Sequence, residues 1–331
     1  MSFSIEQIAR MAGVSKTTVS LVLNEKSRAN RISPDTEKRI CDIVRKTGYL
    51  PNKVARGFRL NRSQTIGLVV PDLINPFFSE LNYALEQRAR QNGYQLLISC
   101  SEDDRDIEQA VVNNLLSYSI EGLIVASILN EEQLLKKTYS RKIPIVFVDR
   151  EIALKNVSSV SSDNYQGAFD AVQILCSEGV REVAYIGGMP GLSTNRNRLN
   201  GYAKALQANR LPVNPQMILQ ENYRPADGYN MIKKIHGIQG RFPESIFTFA
   251  FTVLEGVLQF VKETCGSIPP SLKIATFDDH PLLDYIPNKT ISVKQDCVEL
   301  ARNAFVLFEK AKQGHSRARH IRVKPTLIVR R

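Results

Sequence analysis

Several polar and aromatic side chains in this sequence are of the types that bind a polyhydroxylated ligand. Carboxylates and arginines form paired hydrogen bonds with neighbouring hydroxyls, and aromatic rings cover the C–H faces of a sugar. In open α/β sheets, ligands bind beyond the carboxyl ends of the strands. The side chains that follow apolar, strand-like runs or can supply a ring are Asn75, Phe77, Phe78, Ser127, Asp149, Arg150, Arg196, Arg198, Tyr223 and Asp278. The sequence therefore predicts a ligand-binding cleft.

Three arginines in this set bear on the charge of the ligand. Arg150, Arg196 and Arg198 would bring two or three guanidiniums to one cleft, which is more positive charge than a neutral sugar needs. The alternative is that one or two of them pair with Asp149 and Asp278. A sugar or a sugar phosphate is therefore the expected ligand class.

The sequence contains no complete match to the catalytic motifs considered. Glycines 187, 188 and 191 follow a strand-like run but lack the G-x-G-x-x-G spacing, and neither G-x-S-x-G nor H-E-x-x-H occurs. Asp278 and Asp279 are adjacent, so on a strand they would point to opposite faces. The 5 cysteines and 4 histidines are scattered without the spacing of a metal site. We predict no enzyme, no metal and no cofactor.

The elements that must position the cleft alternate between strand and helix. The apolar runs are TIGLVV, QLLISC, GLIVAS, IPIVFVD, REVAYIG, SIFTFA and KIATFD, and helical segments separate most of them. This alternation is typical of parallel sheets with helices on both faces. It extends over about 265 residues, which is more than one sheet needs. We therefore expect two Rossmann-like lobes.

Positive charge is concentrated at the two ends of the chain. Residues 1–62 hold 13 Lys/Arg and 5 Asp/Glu, residues 63–312 hold 25 and 28, and residues 313–331 hold 6 and none. The local net charges are therefore +8, −3 and +6, which sum to the net charge of +11. A basic N-terminal unit is expected to meet a polyanion such as DNA, with a solubilising tail as the alternative.

The basic N-terminal segment has the pattern of three short helices. Ser4, Ser15 and Ser33 are candidate N-caps, and Gly13 and Gly48 end the first and third helices. Two short helices joined by a glycine-containing turn, followed by a supporting helix, are typical of a helix-turn-helix module. A small helical bundle for protein contacts is the alternative.

The stretch IEQIARMAGVSKTTVSLVLN, followed by GYLPNKVARGF, resembles the N-terminus of LacI/GalR transcriptional regulators. The resemblance implies that the second helix enters the major groove of operator DNA, with Lys16, Thr17 and Leu21 at base edges. Leu21 replaces an arginine found in another member, so that member's operator preference does not carry over. The full set of expected DNA-binding residues in this unit is Ser15, Lys16, Thr17, Thr18, Ser20, Leu21 and Asn24.

The same resemblance identifies residues 51–62 as a hinge helix that folds only on DNA. About eight residues with an internal glycine do not hold a helix alone in water. In the family, a central apolar side chain opens a base step in the minor groove, and here that side chain is Phe58 where leucine is usual. The expected contacts are Asn52, Val54, Ala55, Arg56 and Phe58, and the alternative is a flexible linker.

The resemblance continues through the larger part of the chain. Arg198-Leu199-Asn200-Gly201-Tyr202 matches the R-x-x-G-[FWY] motif whose arginine contacts the effector, and Asp278 matches a carboxylate that accepts from ligand hydroxyls. Many members carry Asn-Asp where this chain has Ala250-Phe251, so galactoside or purine specificity is not implied. The chain is most similar to the branch of sucrose-operon repressors and the fructose repressor.

Together these observations predict a sugar-responsive repressor of a carbohydrate operon, with a corepressor-dependent or dual regulator as the alternative. The expected domains are 1–50 for DNA binding, 51–62 as hinge, and 63–331 for effector binding and dimerisation, with lobes 63–161 plus 294–322 and 162–293 plus 323–331. We expect a homodimer, because no leucine heptad that could form a tetramerisation bundle follows the last strand. A tetramer is the alternative. No apolar run suggests a signal or membrane segment, so the cytoplasm is the expected location.

Overall fold

The structure, a computed structural model, describes residues 3–50, 63–128, 138, 142–152, 154, 156–314 and 317–330. It divides into a unit of residues 1–63 and a unit of residues 64–331. None of the helices that the structure describes is both long and apolar enough to cross a membrane.

The described residues of the smaller unit form three α-helices: α1 (Ile5–Ala12), α2 (Lys16–Leu23) and α3 (Pro34–Thr47). The predicted serine caps are confirmed, because each of the three serine hydroxyls accepts from a backbone N–H in the first turn of its helix. Gly13 and Gly48 have left-handed backbones and end α1 and α3, as predicted. The buried side chains that hold the unit together are Ile8, Ala9, Ala12, Val19, Val22 and Ile40.

The larger unit forms two six-stranded sheets from the residues that the structure describes. Its strands are β1 (Thr65–Val70), β2 (Gln95–Cys100), β3 (Gly122–Val125), β4 (Ile145–Val148), β5 (Ser158–Ser162), β6 (Val183–Gly187), β7 (Ile218–Gln220), β8 (Ser245–Thr248), β9 (Lys273–Phe277), β10 (Thr290–Lys294), β11 (His320–Val323) and β12 (Thr326–Arg330). The α-helices in the described part of this unit are α4 (Pro76–Gln91), α5 (Arg105–Ser117), α6 (Asn164–Ser177), α7 (Ser193–Ala208), α8 (Pro225–Gln239), α9 (Phe251–Cys265) and α10 (Cys297–Lys312).

The two sheets have the same strand order. The first lobe carries the sheet β11-β5-β4-β3-β1-β2, and the second lobe carries β12-β10-β9-β8-β6-β7. All neighbouring strands are parallel except β10 and β12. The predicted fold class is therefore confirmed: a helical unit precedes a two-lobed body of parallel sheets covered by helices.

The chain passes between the lobes three times. The passages lie between β5 and α6, between β10 and α10, and between β11 and β12. The third passage, at Lys324 and Pro325, divides the last apolar stretch of the sequence into two strands. Each of them is an edge strand of a different sheet.

Candidate functional site

Two aspartates occupy equivalent positions in the two lobes. Asp149 directly follows β4 and Asp278 directly follows β9, which are the corresponding strands of the two sheets. Both have left-handed backbones, with φ of 68° and 66°. Each N–H donates to the neighbouring strand, that of Asp149 to Val160 at 2.9 Å and that of Asp278 to Val293 at 3.0 Å. The lobes therefore present one carboxylate each from the same point of the same strand order.

Burial sets the electrostatics of these two carboxylates. Desolvation raises the pKa of Asp149 to about 6, against the opposing charges of Arg150 and Arg198. The pKa of Asp278 is also raised by burial, although Arg198, Gln295 and the backbone N–H of Phe251 stabilise its charged form. A buried carboxylate that keeps a charge near neutral pH is a strong acceptor for ligand hydroxyls.

Arg150 is buried and only partly satisfied. Its Nη2 donates to Oδ1 of Asp103 at 2.5 Å, and the side chains are only 4% and 6% exposed. Its Nε and Nη1 are buried and find no hydrogen-bond partner among the described residues. Unpaired buried donors are costly, so each of these two donors is suited to an anionic ligand group.

Arg198 lies on α7 and is held from three sides. Its Nε donates to Oδ1 of Asn164 at 2.7 Å, and its Nη1 donates to the carbonyl oxygen of Phe249 at 2.6 Å. Its guanidinium carbon lies 3.7 Å from the ring centroid of Phe277 and 4.5 Å from that of Phe249. The side chain is therefore fixed in position before any ligand binds.

These side chains surround one cavity of about 310 Å³, which includes solvent at its mouth. Asn75 caps α4 by accepting from the N–H of Phe77 at 3.0 Å, and the rings of Phe77 and Phe78 pack edge to face behind it. The cavity is lined by Asn75, Phe77, Phe78, Asp149, Arg150, Leu192, Thr194, Arg198, Tyr223, Phe249, Ala250, Asp278 and Gln295.

The structure brings together eight of the ten predicted cleft residues, and Ser127 and Arg196 are the exceptions. Both line a larger neighbouring space of about 1340 Å³. The hydroxyl of Ser127 donates to the buried carboxylate of Glu108. Arg196 is two residues from Arg198 on a helix, where successive side chains are about 100° apart, so the two face different directions.

Sequence reasoning missed Asp103 and Gln295. Gln295 lies in the second passage between the lobes, which the sequence identified only as a connection. Asp103 was missed because it belongs to the run Glu102-Asp103-Asp104, which reads as a solvated loop before a helix. The partial positive charge at the start of that helix was the available signal. In the described part of the chain, no group of His, Cys, Asp and Glu is arranged to hold a metal ion.

The predicted DNA-contact residues lie along one helix and its caps. Ser15 is the N-cap of α2, and Asn24 is its C-cap. Lys16 and Thr17 are exposed, whereas Thr18, Ser20 and Leu21 are partly exposed. Lys16 Nζ donates to Oε1 of Glu6 on α1 at 2.6 Å.

The predicted hinge contacts Asn52, Val54, Ala55, Arg56 and Phe58 lie outside the described residues. Their assignment therefore stays a prediction.

A three-helix unit of the helix-turn-helix type, joined to a two-lobed body with a polar cavity, defines a ligand-responsive DNA-binding regulator. Residues 4–52 match the family described as "Bacterial regulatory proteins, lacI family", and residues 63–265 match "Periplasmic binding proteins and sugar binding domain of LacI family". The chain belongs to the LacI family of transcriptional repressors. The expectation that it is not an enzyme agrees with this membership.

Relatives cover nearly the whole chain. The sucrose operon repressor of Klebsiella pneumoniae is 34% identical over 95% of this chain and 93% of the relative. The fructose operon regulatory protein of Vibrio cholerae is 32% identical over 92% of each. The Cra transcriptional dual regulator of Pseudomonas putida, solved in complex with fructose 1-phosphate, superposes with a TM-score of 0.75 at 28% identity, over 81% of this chain and 99% of that structure.

Proposed function

We propose that this protein represses an operon for sucrose or fructoside use and that a fructose-type sugar or sugar phosphate, bound in the cavity between the lobes, releases it from its operator. The observation that carries this proposal is the composition of the cavity. Asp149 and Asp278 supply acceptors for hydroxyls, while Arg150 and Arg198 supply cationic donors. Phe77, Phe78 and Tyr223 supply the apolar faces.

The unpartnered donors of Arg150 favour a phosphorylated effector. Arg150 already pairs with Asp103, yet its Nε and Nη1 are buried without a partner in the described chain. Nε–H and Nη1 point to different sides of the guanidinium, so an oxygen of a phosphate or another anionic group would satisfy one of these donors with a charge-assisted hydrogen bond. A neutral sugar offers only hydroxyl oxygens, which accept more weakly than a charged oxygen.

The similar proteins reduce the number of candidate effector sugars. Two of them are named for sucrose and fructose operons, and the similar solved structure contains fructose 1-phosphate. This chain has Ala250 where many members carry a polar residue, so that wall of its cavity offers no side-chain hydrogen bond. We therefore favour fructose, fructose 1-phosphate or fructose 6-phosphate as the effector.

On the DNA side, α2 is proposed to enter the major groove of a pseudo-palindromic operator that binds a homodimer. Lys16 can donate to guanine acceptors, and Thr17 can use its hydroxyl or methyl group. Residues 51–62 would add the minor-groove contacts, with Phe58 as the wedge. Effector binding closes the lobes and stops the two hinge segments from pairing, which lowers operator affinity.

Calorimetry on the full chain tests the effector assignment. Fructose, fructose 1-phosphate, fructose 6-phosphate and sucrose are titrated separately, and we expect the tightest binding from a phosphorylated fructose. Arg198→Lys should weaken that binding at least about tenfold, because the planar fork is lost. Arg196→Lys, on the same helix but outside the cavity, is the matched control. Equal affinities in the two variants would show that the cavity is not the effector site.

The alternative is a corepressor-dependent or dual regulator that responds to another metabolite. The description of the Pseudomonas putida relative as a dual regulator is the observation that favours it. A gel shift on operator DNA with and without the best-binding sugar separates the two functions. An inducer weakens the complex, whereas a corepressor strengthens it.

A further inference from the structure

One hydrogen bond at the edge of the cavity joins the two lobes. Asp103 follows β2 in the first lobe, and Tyr223 lies between β7 and α8 in the second lobe. The hydroxyl of Tyr223 donates to Oδ2 of Asp103, while Oδ1 of the same carboxylate accepts from Arg150. A single buried carboxylate is therefore bound from both lobes at once.

Both ends of this bond are rigidly held. Asp103 and the preceding Glu102 have left-handed backbones with φ of 54°, and the N–H of Glu102 donates to Pro71 at 2.8 Å. On the other side, the carbonyl oxygen of Tyr223 accepts from the hydroxyl of Thr252 at 2.6 Å. The ring of Tyr223 packs at 5.8 Å from that of Phe249. Separation of the lobes must therefore break the bond rather than stretch a loop.

The chemical states of the two groups favour a strong bond. Burial, together with the charge of Asp103, raises the pKa of Tyr223 above its ordinary value, so the hydroxyl stays protonated. Arg150 forms an ion pair with the same carboxylate, at 2.5 Å. Hydrogen bonds to a charged acceptor are roughly twice as strong as neutral ones.

We propose that Asp103 and Tyr223 form a latch that stabilises the closed arrangement of the lobes. The latch contributes to closure before any ligand arrives, so it lowers the effector concentration needed to complete the transition. The effect on operator release rests on the proposed function. The latch between the lobes does not depend on it.

Hydrogen exchange on the full chain without effector tests the latch directly. Tyr223→Phe removes only the hydroxyl, and we expect faster exchange in peptides covering 101–104 and 221–224, one from each lobe. Tyr229→Phe is the matched control, because the hydroxyl of Tyr229 donates to Glu263 at 2.8 Å within the second lobe. Unchanged exchange in both peptides, or a change confined to 221–224, would overturn the latch.

A second experiment tests whether the latch lowers the effector concentration needed to release the operator. It measures release by fructose 1-phosphate, which serves as the probe. Tyr223→Phe should need about tenfold more of the probe for half-release than the unaltered chain, which corresponds to about 1.4 kcal/mol. Tyr229→Phe should respond as the unaltered chain does. If the probe does not release the unaltered chain, the proposed effector is wrong, and the exchange experiment still decides the latch.

Discussion

The side chain of Gln295 links the cavity to the passages between the lobes. Its Nε2 donates to Oδ1 of Asp278 at 2.6 Å, and its Oε1 accepts from the hydroxyl of Ser162 at 2.5 Å. Ser162 ends β5 at the first passage, and Gln295 lies in the second. One amide therefore connects a candidate effector carboxylate to two of the three connections on which the lobes move.

Gln295→Met should remove both hydrogen bonds, to Asp278 and to Ser162, while keeping the length of the side chain. Asp278 loses a donor and Ser162 loses an acceptor, and each buried group left unpaired costs about 1–3 kcal/mol. We expect the affinity for the best-binding sugar to fall at least about tenfold in calorimetry.

Gln166→Met is the control for that change. Gln166 also donates to an aspartate, Asp170 at 2.7 Å, but within α6, and neither of these two residues lines the cavity. If Gln166→Met weakens ligand binding as much as Gln295→Met, the effect of Gln295 is general rather than local.

The raised pKa of Asp149 predicts a pH-dependent cost to folding. Because burial raises its pKa to about 6, the folded state holds this proton at pH values where the unfolded chain has released it. The contribution of Asp149 to stability is therefore lost as the pH rises from about 4 to about 6. Asp149→Asn should raise the free energy of unfolding at pH 7.5 by about 1–3 kcal/mol.

The pH series carries its own control. The difference in melting temperature between Asp149→Asn and the unaltered chain should shrink towards zero near pH 4, where both side chains are neutral. A difference that is the same at pH 4 and pH 7.5 would contradict the assigned cause.

Gly256 is expected to be the least replaceable glycine between α8 and α9. A Cβ there would lie 1.7 Å from the carbonyl oxygen of Pro225, which is backbone and cannot move aside. Gly256→Ala should push the helices apart, displace the start of α9 at Phe251 and lower stability by about 3 kcal/mol or more. Thermal melting and calorimetry with the best-binding sugar measure both effects.

Gly237→Ala on α8 is expected to raise the stability of the protein rather than lower it. A Cβ at Gly237 meets nothing within 4 Å, and alanine is the better helix former by about 1 kcal/mol. A loss of stability in Gly237→Ala comparable to that in Gly256→Ala would mean that close approach is not the reason for the glycine at position 256.

The ion pair between Lys16 and Glu6 predicts how the first helices affect DNA binding. Glu6 accepts from Lys16, and this hydrogen bond lowers the pKa of the carboxyl to about 2. Glu6→Gln should free the lysine and strengthen binding to DNA of unrelated sequence. Lys16→Met should weaken operator binding by about 1–3 kcal/mol and reduce discrimination between operators.

Salt titration provides the accompanying measurement. Operator affinity should fall steeply with salt, with a log–log slope of about −0.9 per phosphate contacted. A slope near zero would rule out DNA binding by this unit. Parallel titrations of Lys16→Met and Glu6→Gln against operator and unrelated DNA separate base contacts from phosphate contacts.

Local signals predicted the helices and most strands, because each depends on nearby residues. In the small unit, the serine caps and terminal glycines form hydrogen bonds with residues a few positions away. The strands β1 and β9 are buried along nearly their whole length, as their apolar runs indicate. The strand β5 was missed because its sequence is Ser-Ser-Val-Ser-Ser, which lacks the apolar pattern. Ser159 and Ser162 are buried and form hydrogen bonds with distant residues, Ser159 with His320 and Ser162 with Gln295.

The candidate site was predicted residue by residue but not in its pairings. Strand ends and a family motif identified Asp149, Arg198 and Asp278. The partner of Arg150 is 47 positions away, and that of Tyr223 is 120 positions away, so neither could be read from spacing. Such long-range pairs depend on how the lobes pack, which local patterns do not encode.

The position of β11 and β12 determines the order in which the molecule can be completed during synthesis. The helices of the small unit end at Thr47, whereas the first sheet lacks its edge strand until Val323 is made and the second until Arg330 is made. On a ribosome, the DNA-binding helices can therefore fold long before either half of the sensor is finished. A nascent chain would have a formed DNA-binding unit before it has a complete response to sugar.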